Sequence, residues 1–170
     1  RGAINKFLSL NEGEREKGVI TASSGNHGIA IAHVLKKFGC KGTIYLPQSA
    51  SPAKIEILRS YGVNIEFYGN DCIEAEMTAK KIAKEKKLIY ISPYNDLKII
   101  GGQGTIAVEI ERQLKDIDII LVPVGGGGLI SGIAGYFKNV NSKIKIVGCQ
   151  PRNSPIMLSL IHISEPTRPL

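Results

Sequence analysis

The sequence lacks tryptophan, contains only three cysteines and has no long uninterrupted run of apolar residues. The cysteines (Cys40, Cys72 and Cys149) lie far apart and form no Cys-x-x-Cys pair. This spacing argues against a disulfide framework or a metal site and favours a reducing, cytoplasmic compartment. No stretch approaches the roughly 18 consecutive apolar residues of a membrane-spanning helix, so we expect no membrane partner.

Acidic residues are also in deficit, because 15 Asp and Glu stand against 22 Lys and Arg, a net charge of +7 in 170 residues. The basic residues occupy positions typical of helix surfaces, most densely between residues 80 and 87, with no aromatic residues interleaved there. A solvated helix face explains this pattern better than a nucleic-acid interface, so we expect no nucleic-acid partner. Hydrophobic residues make up 43% of the chain, enough for a packed core.

Short apolar, β-branched runs alternate with helical patterns along the chain, which predicts an α/β fold with parallel sheets and right-handed crossovers. The predicted strands are 19–22, 43–46, 64–68, 88–91, 119–124 and 144–149. The predicted helices are 3–10, 28–38, 52–61, 72–87, 104–114 and 129–138.

Proline and glycine interrupt this alternation after residue 92, so we place a lobe boundary near residue 97. Residues 18–97 are predicted to form a small βαβ lobe, and residues 1–17 plus 98–157 an incomplete large lobe. Residues 158–170 match the pattern poorly and resemble the translation of a sequencing-library transposon adaptor, so we interpret them as a non-native tail. The chain starts at Arg1 without a signal-peptide pattern, and we expect it to begin inside a longer gene product.

Four consecutive glycines, Gly125, Gly126, Gly127 and Gly128, follow an apolar run and precede a helical pattern at Leu129. Such a run is costly in backbone entropy and needs a reason. A loop whose N–H groups surround an anion at a helix N-terminus supplies one, and phosphate is the expected anion. The alternative is a simple packing turn.

The surrounding sequence narrows the type of phosphate ligand. A dinucleotide site needs an acidic residue about 20 positions further on, but the next strand ends in Cys149-Gln150. A Walker loop needs Gly-Lys followed by Ser or Thr, which does not occur here. The glycine loop therefore suits a small phosphate monoester better than a nucleotide.

Two other segments are candidates for ligand binding or for support of a functional site. Ser23-Ser24-Gly25-Asn26-His27-Gly28 forms a polar loop at the carboxyl end of a predicted strand, where open α/β sheets bind ligands. We interpret it as a ligand loop for a carboxylate or phenolate, with a plain helix N-cap as the alternative. Gly101-Gly102-Gln103-Gly104-Thr105 is either a turn that starts a helix or a segment that supports the site, and the sequence leaves both open.

Four segments occur in an order and spacing that resemble one family. They are Arg1-Gly2-Ala3, residues 23–28, residues 101–105, and Pro123-Val124 with the glycine loop that follows. Over residues 1–157 the chain is similar to fold-type II (tryptophan-synthase-β-like) pyridoxal-phosphate enzymes, specifically the serine/threonine dehydratase and serine racemase group. The resemblance implies two parallel-sheet lobes with flanking helices, here truncated, and pyridoxal 5′-phosphate as cofactor.

The resemblance also implies residue roles. The cofactor phosphate would be bound by the N–H groups of the four glycines and Leu129, and the pyridine 3′-oxygen by Asn26. The substrate carboxylate would contact Ser23, Ser24, Asn26 and His27. In racemases of the group, the serine that matches Ser24 is an acid/base on the face opposite the catalytic lysine.

One essential residue of the family pattern is not in the chain. The family motif reads Ser-Phe-Lys-x-Arg-Gly-Ala, and its Schiff-base lysine would lie two residues before Arg1. Lys6 lies on the following helix and does not match the motif. We therefore expect the chain itself to be inactive.

For the intact protein, which we expect to be a homo-oligomer, the resemblance implies an ammonia-lyase that converts a small hydroxy amino acid into a 2-oxo acid and ammonia. A serine racemase or a β-replacement enzyme of the same fold, such as a cysteine or threonine synthase, is the first alternative. A noncatalytic phosphate-ligand-binding domain is the alternative from another class.

Overall fold

The computed structural model describes residues 1–153 and Met157, and these residues form an α/β fold with parallel sheets, as predicted. In chain order its elements are α1 (Gly2–Leu8), α2 (Glu12–Lys17), β1 (Val19–Ala22), α3 (Asn26–Phe38), β2 (Gly42–Leu46), α4 (Pro52–Ser60), β3 (Asn64–Phe67), α5 (Cys72–Glu85), β4 (Ile89–Tyr90), α6 (Leu97–Gln113), β5 (Ile119–Pro123), α7 (Gly128–Val140) and β6 (Lys145–Cys149). The chain divides into two compact units, Arg1–Gly102 and the residues from Gln103 onward.

The first unit is built on a four-stranded sheet in the order β3-β2-β1-β4. All its pairings are parallel: Val19 of β1 lies opposite Gly42 of β2 and Ile89 of β4, and Thr43 of β2 lies opposite Asn64 of β3. β1 is therefore an inner strand, and all four of its residues are buried. A short, continuous apolar run is typical of a parallel strand covered on both faces.

Alternate residues of β1 pack into different clusters. Val19 joins a cluster with Phe7 of α1 and Ile31 of α3. Ile20 and Ala22 pack against the small residues of α5, which recur every four positions (Ala75, Ala79 and Ala83). Because successive side chains of a strand point to opposite faces, one four-residue strand holds helices on both sides.

The second unit contains the parallel pair β5-β6, with Ile119 opposite Lys145 and Pro123 opposite Cys149. Its core combines Ala107 of α6, Val122 of β5, and Ile133 and Phe137 of α7. Burying such aliphatic and aromatic side chains contributes roughly 1.5–3 kcal/mol each. α7 begins at Gly128, shortly after β5 ends at Pro123.

The structure corrects one predicted segment and adds one helix that was not predicted. Residues 101–105 do not form a turn that starts a helix, because α6 begins at Leu97 and includes them. The Asp96 carboxylate caps this helix by accepting from the N–H groups of Lys98 (2.8 Å) and Ile99 (3.2 Å). α2 was not among the predicted helices, although a capping box between Asn11 and Glu14 marks its start.

Close helix packing explains the glycines inside α6. A Cβ on Gly102 would lie 2.6 Å from the Cα of Gly2 in α1. A Cβ on Gly104 would lie 3.0 Å from the carbonyl oxygen of Gly132 in α7. These glycines therefore allow helices to approach, and no loop conformation requires them.

The compact units differ from the predicted lobes, since residues 1–17 belong to the first unit. The lobes 18–97 and 1–17 plus 98–157 of the intact protein stay a prediction. The tail predicted at 158–170 lies outside the described residues. Among the helices of the described residues, none combines the length and apolar character needed to cross a membrane.

Gly101 and Gly102 offer a matched pair of substitutions in α6. A Cβ on Gly101 would meet no atom within 4 Å, in contrast to one on Gly102. We expect Gly102→Ala to lower the free energy of unfolding by about 1–3 kcal/mol through the clash with α1. Gly101→Ala should raise it by about 0.5–1 kcal/mol, because alanine favours the helix. Urea denaturation followed by circular dichroism measures both values, and equal effects would contradict close packing at Gly102.

Candidate functional site

The loop that follows β1 is held by short local hydrogen bonds. The Ser23 N–H donates to the carbonyl of Tyr45 at the end of β2 (3.2 Å), and the Ser23 hydroxyl accepts from the N–H of Gly25 (3.2 Å). Gly25 is the N-cap of α3, so Asn26 and His27 lie in the first helical turn, earlier than the predicted start at residue 28. The polar segment is therefore a short loop joined directly to a helix N-terminus.

Gly28 is required because the loop folds back on the helix. A Cβ at this position would lie 2.1 Å from the carbonyl oxygen of Ser23, which no real side chain tolerates. The Gly28 backbone is buried against the loop. The glycine in this segment thus permits the close turn from strand to helix.

The start of α3 is suited to an anion. The N–H groups of Asn26, His27 and Gly28 have no carbonyl partner within the helix, since the first intrahelical bond runs from Ile29 to the Gly25 carbonyl (3.3 Å). α3 has 13 residues and no acidic residue in its first turn. No acidic residue of its own first turn therefore offsets the positive end of the α3 dipole.

Two of the four side chains predicted to contact ligand in this loop, those of Ser24 and Asn26, are available for hydrogen bonding. Within residues 1–153 and Met157, neither the Ser24 hydroxyl nor the Asn26 amide is hydrogen-bonded to another residue. Ser24 is half-buried and Asn26 is exposed. Asn26 also borders a small cavity of about 250 Å³ that is lined mainly by Ile4, Ile29 and Ala30, with Arg1 and His33.

The His27 ring has a different role from its neighbours. It points into the first unit, where its Nε2–H donates to the carbonyl of Ile91 (3.4 Å). Burial lowers the pKa of His27 to about 4, against opposing effects of the Ile91 hydrogen bond and the Asp96 charge. The ring is therefore neutral near pH 7 and uses its one N–H internally. Any contact of His27 with a substrate carboxylate would use its backbone N–H.

Lys6 has a partner of its own. Its Nζ lies 2.9 Å from Oδ2 of Asp96, and both side chains are largely buried. Burial alone would raise the pKa of Asp96, but hydrogen bonds from Lys6 and from the α6 N-terminus lower it overall. This ion pair links α1 to the start of α6. Asp96 was not among the predicted site residues, although an Asp before a helical pattern is a typical N-cap.

In the second unit, the glycine loop leads directly into α7. Gly127 is the N-cap with φ +90°, a left-handed conformation that favours glycine. The first intrahelical bond runs from Ser131 to the Gly127 carbonyl (2.9 Å), so the N–H groups of Gly128 and Leu129 have no carbonyl partner within α7. α7 has 13 residues and no acidic residue in its first turn.

The glycine loop leaves open space at Gly125 and is held at its base. A Cβ on Gly125 would meet no atom of the described residues within 4 Å, whereas one on Gly127 would lie 3.4 Å from Cε of Met157. The N–H of Val124, just before the loop, donates to the carbonyl of Cys149 (2.8 Å), and the Gln150 amide donates to the Val124 carbonyl (3.4 Å). An anchored, open loop at an acid-free helix N-terminus has the geometry that binds a phosphate.

The two predicted parts of the site are thus formed separately, the Ser23–Asn26 loop in the first unit and the glycine loop in the second. Residues 101–105 form no third loop, because they lie inside α6. Within the described residues, no cluster of three or more His, Cys, Asp or Glu side chains could hold a metal ion.

Comparison with known proteins identifies the class. The family model described as pyridoxal-phosphate dependent enzyme matches residues 1–169, so the chain belongs to this family. The membership confirms the predicted fold type and the pyridoxal-phosphate cofactor class. Because the match includes residues 158–169, the interpretation of the tail as non-native stays a prediction.

Individual relatives show which members of the family this chain is similar to. An L-threonine ammonia-lyase of Thermotoga maritima is 41% identical over 162 residues, which cover 95% of this chain and 40% of that protein. The structure of the processed form of threonine deaminase isoform 2 from Solanum lycopersicum is 39% identical with a TM-score of 0.87, covering 99% of this chain and 49% of that one.

The structure of maize serine racemase is 35% identical with a TM-score of 0.87, covering 99% of this chain and 51% of that one. The chain therefore spans about half the length, or less, of the relatives that it matches.

The lowered pKa of His27 predicts a pH dependence of stability. The unfolded chain binds an extra proton between the ordinary pKa of 6.5 and the folded value of about 4, so stability falls as the pH drops through this range. A shift of this size corresponds to about 3 kcal/mol. Urea denaturation across the range measures it.

Two histidine variants control this measurement. His27→Gln keeps an amide donor for Ile91 and should remove this part of the pH dependence, whereas His33→Gln should retain it. A His27→Gln protein whose stability still falls like that of the wild type would contradict the assignment.

Proposed function

We propose that the intact protein is a pyridoxal-phosphate-dependent ammonia-lyase acting on serine, threonine or a similar small hydroxy amino acid. The observation that carries this proposal is the open, acid-free glycine loop at the start of α7 in a chain of this family. The reaction breaks the Cα–H and Cβ–O bonds of the substrate, releases water, and ends with hydrolysis of the resulting enamine to a 2-oxo acid and ammonia. The names of the threonine ammonia-lyase and threonine deaminase relatives support this reaction class.

The glycine loop fits the phosphate of the cofactor. In our proposal the N–H groups of Gly125, Gly126, Gly127, Gly128 and Leu129 donate to the phosphate oxygens. The dipole of α7 offsets part of the phosphate charge, and no acidic residue of its first turn opposes it. When bound, pyridoxal phosphate supplies an electron sink for the charge that develops at Cα.

The loop after β1 fits the remaining polar groups. The Asn26 amide, which makes no hydrogen bond to other described residues, would donate to the pyridine 3′-oxygen. Ser23, Ser24, Asn26 and His27 would hold the substrate carboxylate at the start of α3, with His27 using its backbone N–H. A carboxylate at a helix N-terminus is a favourable pairing of charge and dipole.

A lysine upstream of Arg1 would bind the cofactor covalently and move the Cα proton. The present chain lacks this lysine and, in our proposal, is inactive. Lys6 does not replace it, because its ammonium group is paired with Asp96. The lobes 18–97 and 1–17 plus 98–157 would each contribute one of the two loops.

Racemisation is a second candidate activity, favoured by Ser24. Its hydroxyl is half-buried and makes no hydrogen bond to other described residues, so it is available to return a proton to Cα. The similarity to maize serine racemase supports this candidate. We further propose a cytoplasmic homo-oligomer, a proposal that rests on cysteine usage and on the resemblance to the family.

The full-length protein with its upstream lysine tests the reaction. We expect bound pyridoxal phosphate to absorb in the visible range and L-serine or L-threonine to yield a 2-oxo acid and ammonia. Chiral chromatography of the residual serine measures racemisation in the same reaction. A protein that binds the cofactor but produces neither a 2-oxo acid nor D-serine would contradict both candidates and favour a β-replacement enzyme. Absence of cofactor binding would favour a noncatalytic domain.

Gly125→Ala tests the phosphate loop. Its new methyl group would meet no atom of the described residues within 4 Å, so the fold should persist, but it would occupy the open space at this point of the loop. We expect the affinity of the full-length protein for pyridoxal phosphate to fall by roughly tenfold or more, about 1.4 kcal/mol, in a fluorescence titration.

Gly135→Ala, on the exposed side of α7, also introduces a methyl group without contacts and is the control. Its affinity for the cofactor should match that of the wild type. Equal affinities in wild type, Gly125→Ala and Gly135→Ala would show that phosphate binds elsewhere.

A further inference from the structure

Three elements of the first unit meet at the carbonyl group of Ile91. Ile91 follows β4 and is fully buried, and its N–H donates to the Ile20 carbonyl of β1 (2.9 Å). Its carbonyl oxygen accepts from the Thr21 hydroxyl (2.7 Å) and from Nε2 of His27 (3.4 Å). One backbone acceptor thus connects β1, the segment after β4 and the first turn of α3.

These side-chain hydrogen bonds join β1 and α3 to the segment just after the last paired residues of β4. The pairing of β1 with β4 involves only Val19–Ile89 and Ile20–Tyr90. Past that point, the Ile91 carbonyl accepts from the Thr21 hydroxyl and the His27 imidazole. The segment after Ile91 is also held, since the Ser92 hydroxyl accepts from the N–H of Asn95 (3.0 Å). The Ile91 carbonyl is therefore a fixed point against which the helix start can be oriented.

Thr21 is an unusual residue for its position. It is fully buried in a strand whose other residues are apolar, and its shape is nearly that of valine. A hydroxyl group in such a place is unfavourable unless it is hydrogen-bonded, so core packing alone would favour valine. What threonine adds is a hydroxyl that donates to the Ile91 carbonyl at 2.7 Å, beside the longer bond from His27.

The connection to the candidate site is short. Thr21 lies two residues before Ser23, and His27 directly follows Asn26. The loop between them is therefore held at both ends by one acceptor, through β1 on one side and through the His27 ring on the other. Displacement of the Ile91 carbonyl would turn the His27 ring and, with it, the first-turn N–H groups of α3.

We propose that Thr21 is a positioning residue, which orients the first turn of α3 through Ile91 and His27 so that the Asn26 amide and the helix N–H groups face the substrate. This inference rests on the proposed function, because it assigns the substrate carboxylate to that turn. Thr21 touches no reacting atom and acts through its hydrogen bond.

Three variants of the full-length protein separate hydrogen bonding from packing. Thr21→Val keeps the shape and removes the donor, Thr21→Ser keeps the donor and removes the methyl group, and Thr21→Ala removes both. We expect Thr21→Val and Thr21→Ala to raise the KM for the hydroxy amino acid about tenfold, with kcat within about twofold of wild type. Thr21→Ser should stay within about twofold of wild type in both constants.

Hydrogen–deuterium exchange of the substrate-free protein gives a readout that is independent of turnover. Thr21→Val should speed exchange in peptides covering residues 23–28 and leave the α5 peptides unchanged, whereas Thr21→Ser should preserve the wild-type pattern. If Thr21→Val does not fold, the comparison of Thr21→Ala with Thr21→Ser decides. A KM and exchange pattern like wild type in Thr21→Val, or equal impairment of the serine and alanine variants, would overturn the proposal.

Failure of the proposed function and failure of the positioning role of Thr21 give different results. A wild-type protein without 2-oxo acid formation would contradict the proposed function, and the exchange pattern would then decide by itself whether Thr21 holds the loop. Wild-type turnover combined with no effect of Thr21→Val would overturn the positioning role alone.

Discussion

The first unit depends on the complete burial of β1 between helices on both faces of the sheet. Burial on both sides requires an apolar strand. The polar loop begins where this strand ends, on the side of the sheet formed by the carboxyl ends of its strands. The single polar side chain of the strand, Thr21, is compatible with this burial because its hydroxyl donates to Ile91. The strand therefore both holds the core together and sets the position of the loop.

Glycine serves two separate purposes in this chain. At Gly127 the backbone takes a left-handed conformation that allows the loop to enter α7. At Gly28 and Gly102 the backbone conformation is ordinary, and the absence of a side chain allows another backbone to approach. A run of glycines is thus not by itself evidence of a binding loop. The distinction depends on whether the missing Cβ would face open space or a neighbouring chain segment.

Much of the fold could be predicted from the sequence because its signals are local. Apolar β-branched runs predicted β1 within its observed bounds and β2 and β3 within one residue. The glycine run predicted a loop that leads into a helix, and Gly127 is the N-cap of α7. By contrast, the sequence left open whether the glycines at 101–104 form a turn that starts a helix or support the site, because nothing in their local pattern indicates close helix packing.

The sequence by itself determined the alternation of strands and helices, the two helix N-termini suited to anions, and the resemblance that the family match later confirmed. Only the tertiary structure showed that the His27 ring points inward to Ile91, that Lys6 pairs with Asp96, and that Gly102 lies against α1. Each of these contacts joins residues more than 60 positions apart in the chain. Such contacts depend on how the sheet and helices pack, and neither periodicity nor a local motif contains that information.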